Sequence, residues 1–136
     1  MNLSIVIPCY NEEEVLHETN RQLTELVDSM ISESLLTNCD ILYVDDGSKD
    51  NTWNVIEELQ NSSPFVHGLK LAHNVGHQNA LWAGLEYSVG KCDAAISIDA
   101  DLQHDINKIK DMVQAFQQGF EIVYGIRNDR ATDSAF

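Results

Sequence analysis

Short apolar runs alternate with longer amphipathic stretches along nearly the whole chain. The apolar runs have the length and composition of β-strands and fall at residues 3–7, 40–44, 66–71, 92–98 and 120–126. In between, apolar residues recur every three or four positions, as in helices with one buried face. This alternation predicts an α/β fold with right-handed βαβ units, a mostly parallel sheet and helices on both faces.

The boundaries of these elements carry their own signals. Pro8 is expected to end the first strand, and the glutamates at 12–14 are expected to open the first helix, where negative charge meets the positive end of the helix dipole. Gly90 is placed to end the third helix. Trp53 and Trp82 lie on helix faces and are predicted to belong to the core.

Polar side chains follow three of the predicted strands. Residues 8–13 follow the first strand, Asp45 and Asp46 follow the second, and Asp99 and Asp101 follow the fourth. The carboxyl ends of parallel strands share one edge of the sheet, and such sheets bind their ligands there. Because Asp is common in turns, one acidic turn means little, but three at one edge predict a site.

The composition narrows the kind of ligand. The chain has 136 residues, enough for one domain, and 43% of them are apolar, as in globular proteins. Its formal net charge of −14 argues against nucleic acid and an anionic membrane surface as partners. Cys9, Cys39 and Cys92 are widely spaced, and there is no signal-peptide pattern or membrane-spanning apolar run, so we expect a cytoplasmic protein with reduced thiols.

Paired carboxylates at Asp99 and Asp101 suit a hard divalent cation, Mg²⁺ or Mn²⁺, which takes oxygen ligands from protein and from substrate phosphates. A metal at this edge would suit a nucleotide-sugar donor, whose diphosphate needs a cation. Asp45 is expected to turn or cap the chain instead. His73 and His77 make a poor zinc pair because they start in a loop.

Other residues at this edge could bind the rest of such a donor. Tyr10 could flank the base, although packing on the first helix explains it equally well. Asp46 could accept a hydrogen bond from the base, and Glu12 or Glu13 could bind ribose hydroxyls. Arg127, just past the fifth predicted strand, could clamp the phosphates.

Four sequence blocks resemble the family 2 glycosyltransferases of the GT-A fold, a Rossmann-like architecture. They are residues 6–13 (VIPCYNEE), 44–52 (VDDGSKDNT), 74–81 (NVGHQNAL) and 99–104 (DADLQH). The last two blocks are most similar to the polyprenyl-phosphate sugar transferases, the group of dolichol-phosphate mannose synthase and bactoprenol glucosyltransferase. The resemblance implies sugar transfer from a UDP- or GDP-sugar with inversion at the anomeric carbon.

The resemblance also assigns roles to residues of the nucleotide site. By the family's pattern, Pro8, Tyr10 and Glu12 line the nucleoside slot, and Asp46 contacts the base.

The metal and the phosphates are assigned in the same way. Asp99 and Asp101 bind the metal, with Asp99 also facing the nucleotide and Gln103 as a further candidate ligand. Arg127 matches the family's arginine after the fifth strand, although Ile126 replaces the usual serine before it. His104 is expected to be an exposed turn residue, with a place behind the metal ligands as the alternative.

The resemblance further implies that residues 1–136 are the nucleotide-sugar-binding part of a GT-A domain whose sheet is incomplete at the C-terminus. Family members of this type continue into acceptor-binding segments and often into transmembrane helices, which would place the full-length protein at the cytoplasmic face of a membrane. The acceptor would be a polyprenyl phosphate or, alternatively, a saccharide hydroxyl in cell-surface polysaccharide synthesis. The sequence leaves open whether the protein forms homo-oligomers.

No residue makes a convincing general base, which a hydroxyl acceptor requires and a phosphate acceptor does not. We therefore expect this chain to bind nucleotide and metal but to transfer sugar poorly by itself, and a non-catalytic nucleotide-binding remnant stays an alternative.

Two other classes of α/β protein with acidic sites fit the sequence less well. A phosphorelay receiver domain has its acid pair after the first strand, and a haloacid-type phosphatase has Asp-x-Asp there, whereas here the motif follows the fourth.

Overall fold

The computed structural model describes residues 1–103 and 105–123. Two compact units divide the chain, Met1–Asp105 and Ile106–Phe136. The first unit holds four strands and three helices, which are β1 (Asn2–Cys9), α1 (Leu16–Ser32), β2 (Asn38–Asp45), α2 (Thr52–Ser62), β3 (Val66–Lys70), α3 (His77–Ser88) and β4 (Ala94–Ser97). In the second unit, α4 (Lys108–Gln117) buries Ile109 and Val113 and is followed by Gly119, whose φ is +106°.

The strands form one parallel sheet in the order β3-β2-β1-β4. This confirms the predicted α/β fold with strands that alternate with helices. No helix in the described part of the chain is long and apolar enough to cross a membrane.

One sheet face packs against α3. Val6, Leu42 and Val44 of the sheet bury their side chains against Ala80 of α3. The helix lies so close that a Cβ added at Gly84 would come within 2.4 Å of Val6 Cγ1 and 2.9 Å of Val44 Cγ2.

The other face packs against α1 and α2. Tyr43 is fully buried there, and its hydroxyl donates a hydrogen bond to Asn20 Oδ1 of α1 at 2.8 Å. Gly68, the register partner of Tyr43 on β3, leaves room for Ile56 and Trp53 of α2. Helices therefore cover both faces, as predicted.

Several elements differ from the predicted ones. Helix α1 begins at Leu16, after the glutamates, which lie in a turn where the N–H groups of Val15 and Leu16 donate to Glu12 O. Residues 120–123 form no strand, and Phe120 and Ile122 are exposed. An apolar run becomes a strand only with a hydrogen-bonding partner. The rest of that predicted strand lies outside the described residues.

Strand β4 is also shorter than predicted and is not fully buried. It pairs with β1 at the edge of the described sheet, and its residues alternate between half-buried and exposed. The core prediction is wrong for Trp82 as well, because this side chain is 63% exposed on α3 and its Nε1–H donates to Glu86 Oε1 at 2.9 Å. Periodicity placed the apolar faces of the helices but could not show which helix positions the sheet covers.

Pro8 does not end β1, which continues through it to Cys9. Val6 O accepts the N–H of Ile98 on the β4 side, and Cys9 O accepts the N–H of Asp46 on the β2 side. Because successive residues of a strand bond on alternate sides, the nitrogen of Pro8 faces β4. It has no hydrogen to donate, so the β1–β4 ladder stops while the β1–β2 ladder continues.

The close approach of α3 at Gly84 gives a prediction about stability. Gly84→Ala should destabilise the protein by about 1–3 kcal/mol through overpacking, although the same change in an open helix position would stabilise it. Val6→Ala removes the atom nearest to the new methyl, so Gly84→Ala should be less destabilising in that background, with a coupling of at least about 0.5 kcal/mol. Urea unfolding of the two single variants and the double variant measures this. Equal effects of Gly84→Ala in both backgrounds would contradict it.

Candidate functional site

A cleft of about 420 Å³ opens at the carboxyl edge of the sheet. Its described lining residues belong to the first unit and come from the segments at and beyond the ends of all four strands. They are Pro8, Cys9, Tyr10, Glu12, Asp46, Asn74, Gly76, His77, Asp99, Ala100, Asp101 and Gln103.

Every residue that the family resemblance assigns to the site, in the described part of the chain, lies in this one cleft. These residues are Pro8, Tyr10, Glu12, Asp46, Asp99, Asp101 and Gln103. The structure thus brings together the three polar edges, while the roles of the individual side chains stay predictions. Arg127 and His104 lie outside the described residues.

The loop after β1 is tied to the loop after β2 through backbone amides. Asn11, with a left-handed φ of +53°, donates its N–H to Ser48 Oγ at 2.9 Å and accepts the N–H of Lys49 on Oδ1 at 2.9 Å. The N–H of Glu12 donates to Thr52 Oγ1 at 2.8 Å. These bonds place Tyr10, 41% exposed, along the cleft rather than in the core.

The structure separates Glu12 from Glu13, which the residue pattern left as alternatives and of which the family resemblance assigned Glu12. Glu13 accepts the N–H of Asn51 on Oε2 at 3.2 Å and its own N–H donates to Asp50 Oδ2 at 3.4 Å, so it ties the two loops together. Glu12 lines the cleft. Of the two, Glu12 is therefore the one placed to meet a ligand.

Asp45 and Asp46 also divide into a structural residue and a cleft residue. Asp45 is buried and accepts the N–H of Ser48 on Oδ1 at 3.1 Å, which confirms that it turns the chain. Asp46 accepts the N–H of Val75 on Oδ1 at 2.8 Å, and its backbone oxygen accepts from Asn74 Nδ2 at 3.1 Å. Asp46 lines the cleft, and its second carboxylate oxygen, Oδ2, makes no hydrogen bond among the described residues.

Gly47 lets the loop after β3 approach Asp46. A Cβ at this residue, whose φ is +68°, would lie 2.4 Å from the backbone nitrogen of Asn74 and 2.6 Å from the carbonyl carbon of His73. Both neighbours are main-chain atoms, which cannot rotate away as a side chain can. Glycine is therefore needed here for space as well as for conformation.

The sequence prediction missed part of the cleft wall. Asn74, Gly76 and His77 belong to the loop after β3 and the start of α3, and none was assigned to the site. The sequence offered one indication, because this loop follows a parallel strand and so lies at the carboxyl edge of the sheet. Only the strand order shows that the loop reaches the site, since β3 lies beside β2 and the N–H of Val75 in this loop bonds to Asp46.

Negative charge accumulates in the cleft. Burial raises the pKa of Glu12, and the nearby charges of Asp101, Asp50 and Asp99 raise it further. Burial, with Glu12 and Asp45, also raises the pKa of Cys9 well above its usual value. Cys9 is therefore a neutral thiol, unsuited to act as a thiolate nucleophile or metal ligand.

Carboxylate oxygens are suitable ligands for Mg²⁺ or Mn²⁺, and a cation would offset the repulsion among these acids. Asp101 Oδ2 accepts a hydrogen bond from Gln103 Nε2 at 2.8 Å, so Gln103 holds this carboxylate through its amide nitrogen. In residues 1–103 and 105–123, no three His, Cys, Asp or Glu side chains form a group that could hold a metal. Asp99 and Asp101 both line the cleft, and cations of this kind commonly take further oxygen ligands from substrate phosphates.

The parallel sheet and the polar cleft at its carboxyl edge define an α/β protein of the kind that binds ligands at the ends of its strands. Within that class, the chain belongs to glycosyl transferase family 2, whose family model matches residues 4–136. This confirms the family indicated by the four sequence blocks.

Curated relatives cover almost the whole chain. The chain is 55% identical over 137 residues to the uncharacterized glycosyltransferase YkoT of Bacillus subtilis (strain 168), covering 98% of this chain and 40% of YkoT. It is 38% identical over 136 residues to the prophage bactoprenol glucosyl transferase homolog of Escherichia coli (strain K12), covering 98% of this chain and 41% of that protein. The chain thus spans about 40% of the length of these relatives.

Solved structures share the fold. The crystal structure of S. aureus TarS 1-349 matches with a TM-score of 0.62 and 21% identity, over 87% of this chain and 33% of that one. The structure of TarS 1-349 in complex with UDP-GlcNAc matches with the same TM-score, 0.62, at 21% identity, over 87% of this chain and 32% of that one. These matches confirm the GT-A-like α/β fold.

The contact at Gly47 gives a prediction with a matched control. Gly90 has a similar φ, +77°, but a Cβ there would meet nothing within 4 Å. Gly90→Ala should therefore destabilise the protein by about 1–2 kcal/mol, from the left-handed backbone alone. Gly47→Ala should cost at least about 1 kcal/mol more, because the new methyl also collides with the His73–Asn74 backbone. Urea unfolding of both variants decides this, and equal losses would contradict the contact.

Proposed function

We propose that this chain provides the donor-binding part of a glycosyltransferase that uses a UDP- or GDP-sugar and a divalent metal. The observation that carries the proposal is the convergence of Tyr10, Glu12, Asp46 and the Asp99–Asp101 pair in one cleft of a family 2 chain. The complex of the structural neighbour TarS with UDP-GlcNAc supports a nucleotide-sugar as the ligand class.

We assign each part of the donor to a different group of cleft residues. Tyr10 and Pro8 would flank the base, and Asp46 Oδ2 would accept a hydrogen bond from a base N–H. Glu12 would bind ribose hydroxyls, for which a carboxylate is a strong acceptor. This division uses the cleft-lining member of each acidic pair and leaves Asp45 and Glu13 in their structural contacts.

Asp99 and Asp101 would hold Mg²⁺ or Mn²⁺ together with the donor's diphosphate, with Asp99 also facing the nucleotide and Gln103 as a further candidate ligand. The metal would supply Lewis-acid stabilisation of the charge that develops on the departing nucleoside diphosphate. Arg127, beyond the described residues, would add a bidentate contact to the same phosphates.

We propose a polyprenyl phosphate as the acceptor. An acceptor phosphate oxygen would attack the anomeric carbon from the face opposite the leaving group. The new C–O bond forms as the bond to the diphosphate breaks, and the configuration inverts. A phosphate acceptor is already an anion, so no general base is needed. The name of the 38% identical E. coli relative, a bactoprenol glucosyl transferase homolog, supports this class over a saccharide hydroxyl.

Donor binding can be tested with the chain itself. Thermal unfolding should be followed with UDP, GDP, UDP-glucose and GDP-mannose, each with and without Mn²⁺. A true ligand at 100 times its dissociation constant should add about 2.7 kcal/mol to the free energy of unfolding. Asp101→Asn should lose the Mn²⁺-dependent part of this gain and keep its fold.

Asp28→Asn is the matched control for that experiment. It removes the same charge from an exposed position on α1 and should behave as the wild type. A full Mn²⁺ effect in Asp101→Asn would refute the metal assignment. Absence of any nucleotide effect on the wild type would refute the donor site.

The acceptor requires a longer protein. We expect a chimaera in which this chain replaces the matching segment of the E. coli relative to transfer labelled sugar to polyprenyl phosphate, giving a product that extracts into organic solvent. The isolated chain should transfer at most slowly, and the Asp101→Asn chimaera should be inactive. A chimaera that glycosylates only water-soluble saccharides would support the alternative acceptor.

A further inference from the structure

The loop that carries Asp99 and Asp101 is fixed to helix α1 by one buried hydrogen bond. Thr19 Oγ1 donates to the backbone oxygen of Ala100, the residue between the two acids, at 2.6 Å. Thr19 is 2% exposed and Ala100 is 3% exposed. The bond therefore joins the middle of the acidic motif to the core, out of contact with water.

The hydroxyl of Thr19 does not make the hydrogen bond that is usual for a threonine inside a helix. A threonine hydroxyl inside a helix commonly bonds to a carbonyl of the preceding turn. Here Val15 O, four residues before Thr19, accepts the backbone N–H of Thr19 at 3.0 Å, and the hydroxyl instead leaves the helix for the loop. A buried carbonyl such as Ala100 O requires a donor, and Thr19 supplies it.

The loop needs such an anchor. Leu102 has a left-handed φ of +51°, which is unfavourable for a residue with a branched side chain. Its N–H donates to Asp99 O at 3.2 Å, which closes a tight turn around the two acids. A strained turn persists only when its surroundings hold it, and the bond from Thr19 acts on the peptide that joins Ala100 to Asp101.

We propose that Thr19 is a positioning residue for the Asp99–Asp101 carboxylate pair. By fixing the Ala100–Asp101 peptide, it sets the directions in which the two carboxylates leave the backbone. It touches neither metal nor nucleotide and acts only through the loop. This inference rests on the proposed function, in which the pair holds a divalent cation with the donor's diphosphate.

Helix α1 provides a matched control. Thr24 Oγ1 is buried and has no hydrogen-bond partner among the described residues. Thr24→Val therefore makes the same chemical change on the same helix without breaking a bond. Thr19→Ser keeps the hydroxyl and is the conservative variant.

The experiment measures UDP and GDP affinity by calorimetry, with and without Mn²⁺, in the wild type and the three variants. Thr19→Val should reduce the Mn²⁺-dependent gain in nucleotide affinity by about 10–100-fold, as loss of a group that orients metal ligands does, and leave Mn²⁺-free affinity unchanged. Thr19→Ser should restore most of the gain, and Thr24→Val should match the wild type.

A second readout needs no ligand. Amide hydrogen exchange at Leu102 should be faster in Thr19→Val than in the wild type, because the turn loses its outside anchor, and unchanged in Thr24→Val. A folded Thr19→Val protein with wild-type exchange and a wild-type Mn²⁺ effect would overturn the positioning role. So would equal losses of affinity with and without Mn²⁺ that Thr19→Ser does not rescue, which would indicate only a structural role.

These outcomes separate the two proposals. If the wild type binds nucleotide with a Mn²⁺-dependent gain that Thr19→Val keeps, the positioning role fails and the donor site stands. If the wild type shows no Mn²⁺-dependent gain, the proposed metal site fails and the role of Thr19 fails with it.

Discussion

Strand β1 is hydrogen-bonded in parallel to β2 on one side and to β4 on the other, and the cleft depends on this pairing. Parallel strands end at the same edge, so the segments after β1, β2 and β4 must leave the sheet together. Pro8 makes the two sides unequal, because the ladder to β4 stops while the ladder to β2 continues to Asp46. The segment that carries Asp99 and Asp101 therefore leaves the hydrogen-bonded ladder with β1, whereas Asp46 on the other side still donates its N–H to β1.

Neighbouring polar residues in this protein divide into those that hold loops and those that face the cleft. Asp45 and Glu13 accept backbone N–H groups and do not line the cleft, whereas Glu12 lines it. Asp46 does both, because its Oδ1 accepts the N–H of Val75. Most of the hydrogen bonds that hold the loops join a side chain to the backbone N–H of another loop. Each such bond gives a main-chain N–H an acceptor and also fixes the position of a neighbouring residue that faces the cleft. A site built in this way is organised before a ligand binds, which reduces the entropy lost on binding.

The charge of the cleft limits what it can bind. A net charge of −14 and the carboxylates of Asp99 and Asp101, which help to raise the pKa of Glu12, make it repulsive to a bare diphosphate. The same carboxylates are hard oxygen ligands, so a divalent cation would turn the repulsion into attraction for both protein and phosphate. Electrostatics thus supports a ligand that arrives with a metal, which is the form in which a nucleotide-sugar commonly binds.

The sequence by itself determined the α/β class, the parallel strands and the polar edge at which the cleft lies, because strand period, helix period and the shared carboxyl edge are local or topological properties. Of the seven predicted cleft residues, Gln103 and the choice of Glu12 came from the family resemblance. Only the tertiary structure decided the rest. It gave the physical reason why Glu12 rather than Glu13 faces the cleft, which is that Glu13 is held in hydrogen bonds between loops, and it added the loop at Asn74 through the order of the strands. It left Trp82 exposed and residues 120–123 outside any strand, because burial and strand pairing depend on partners distant in sequence.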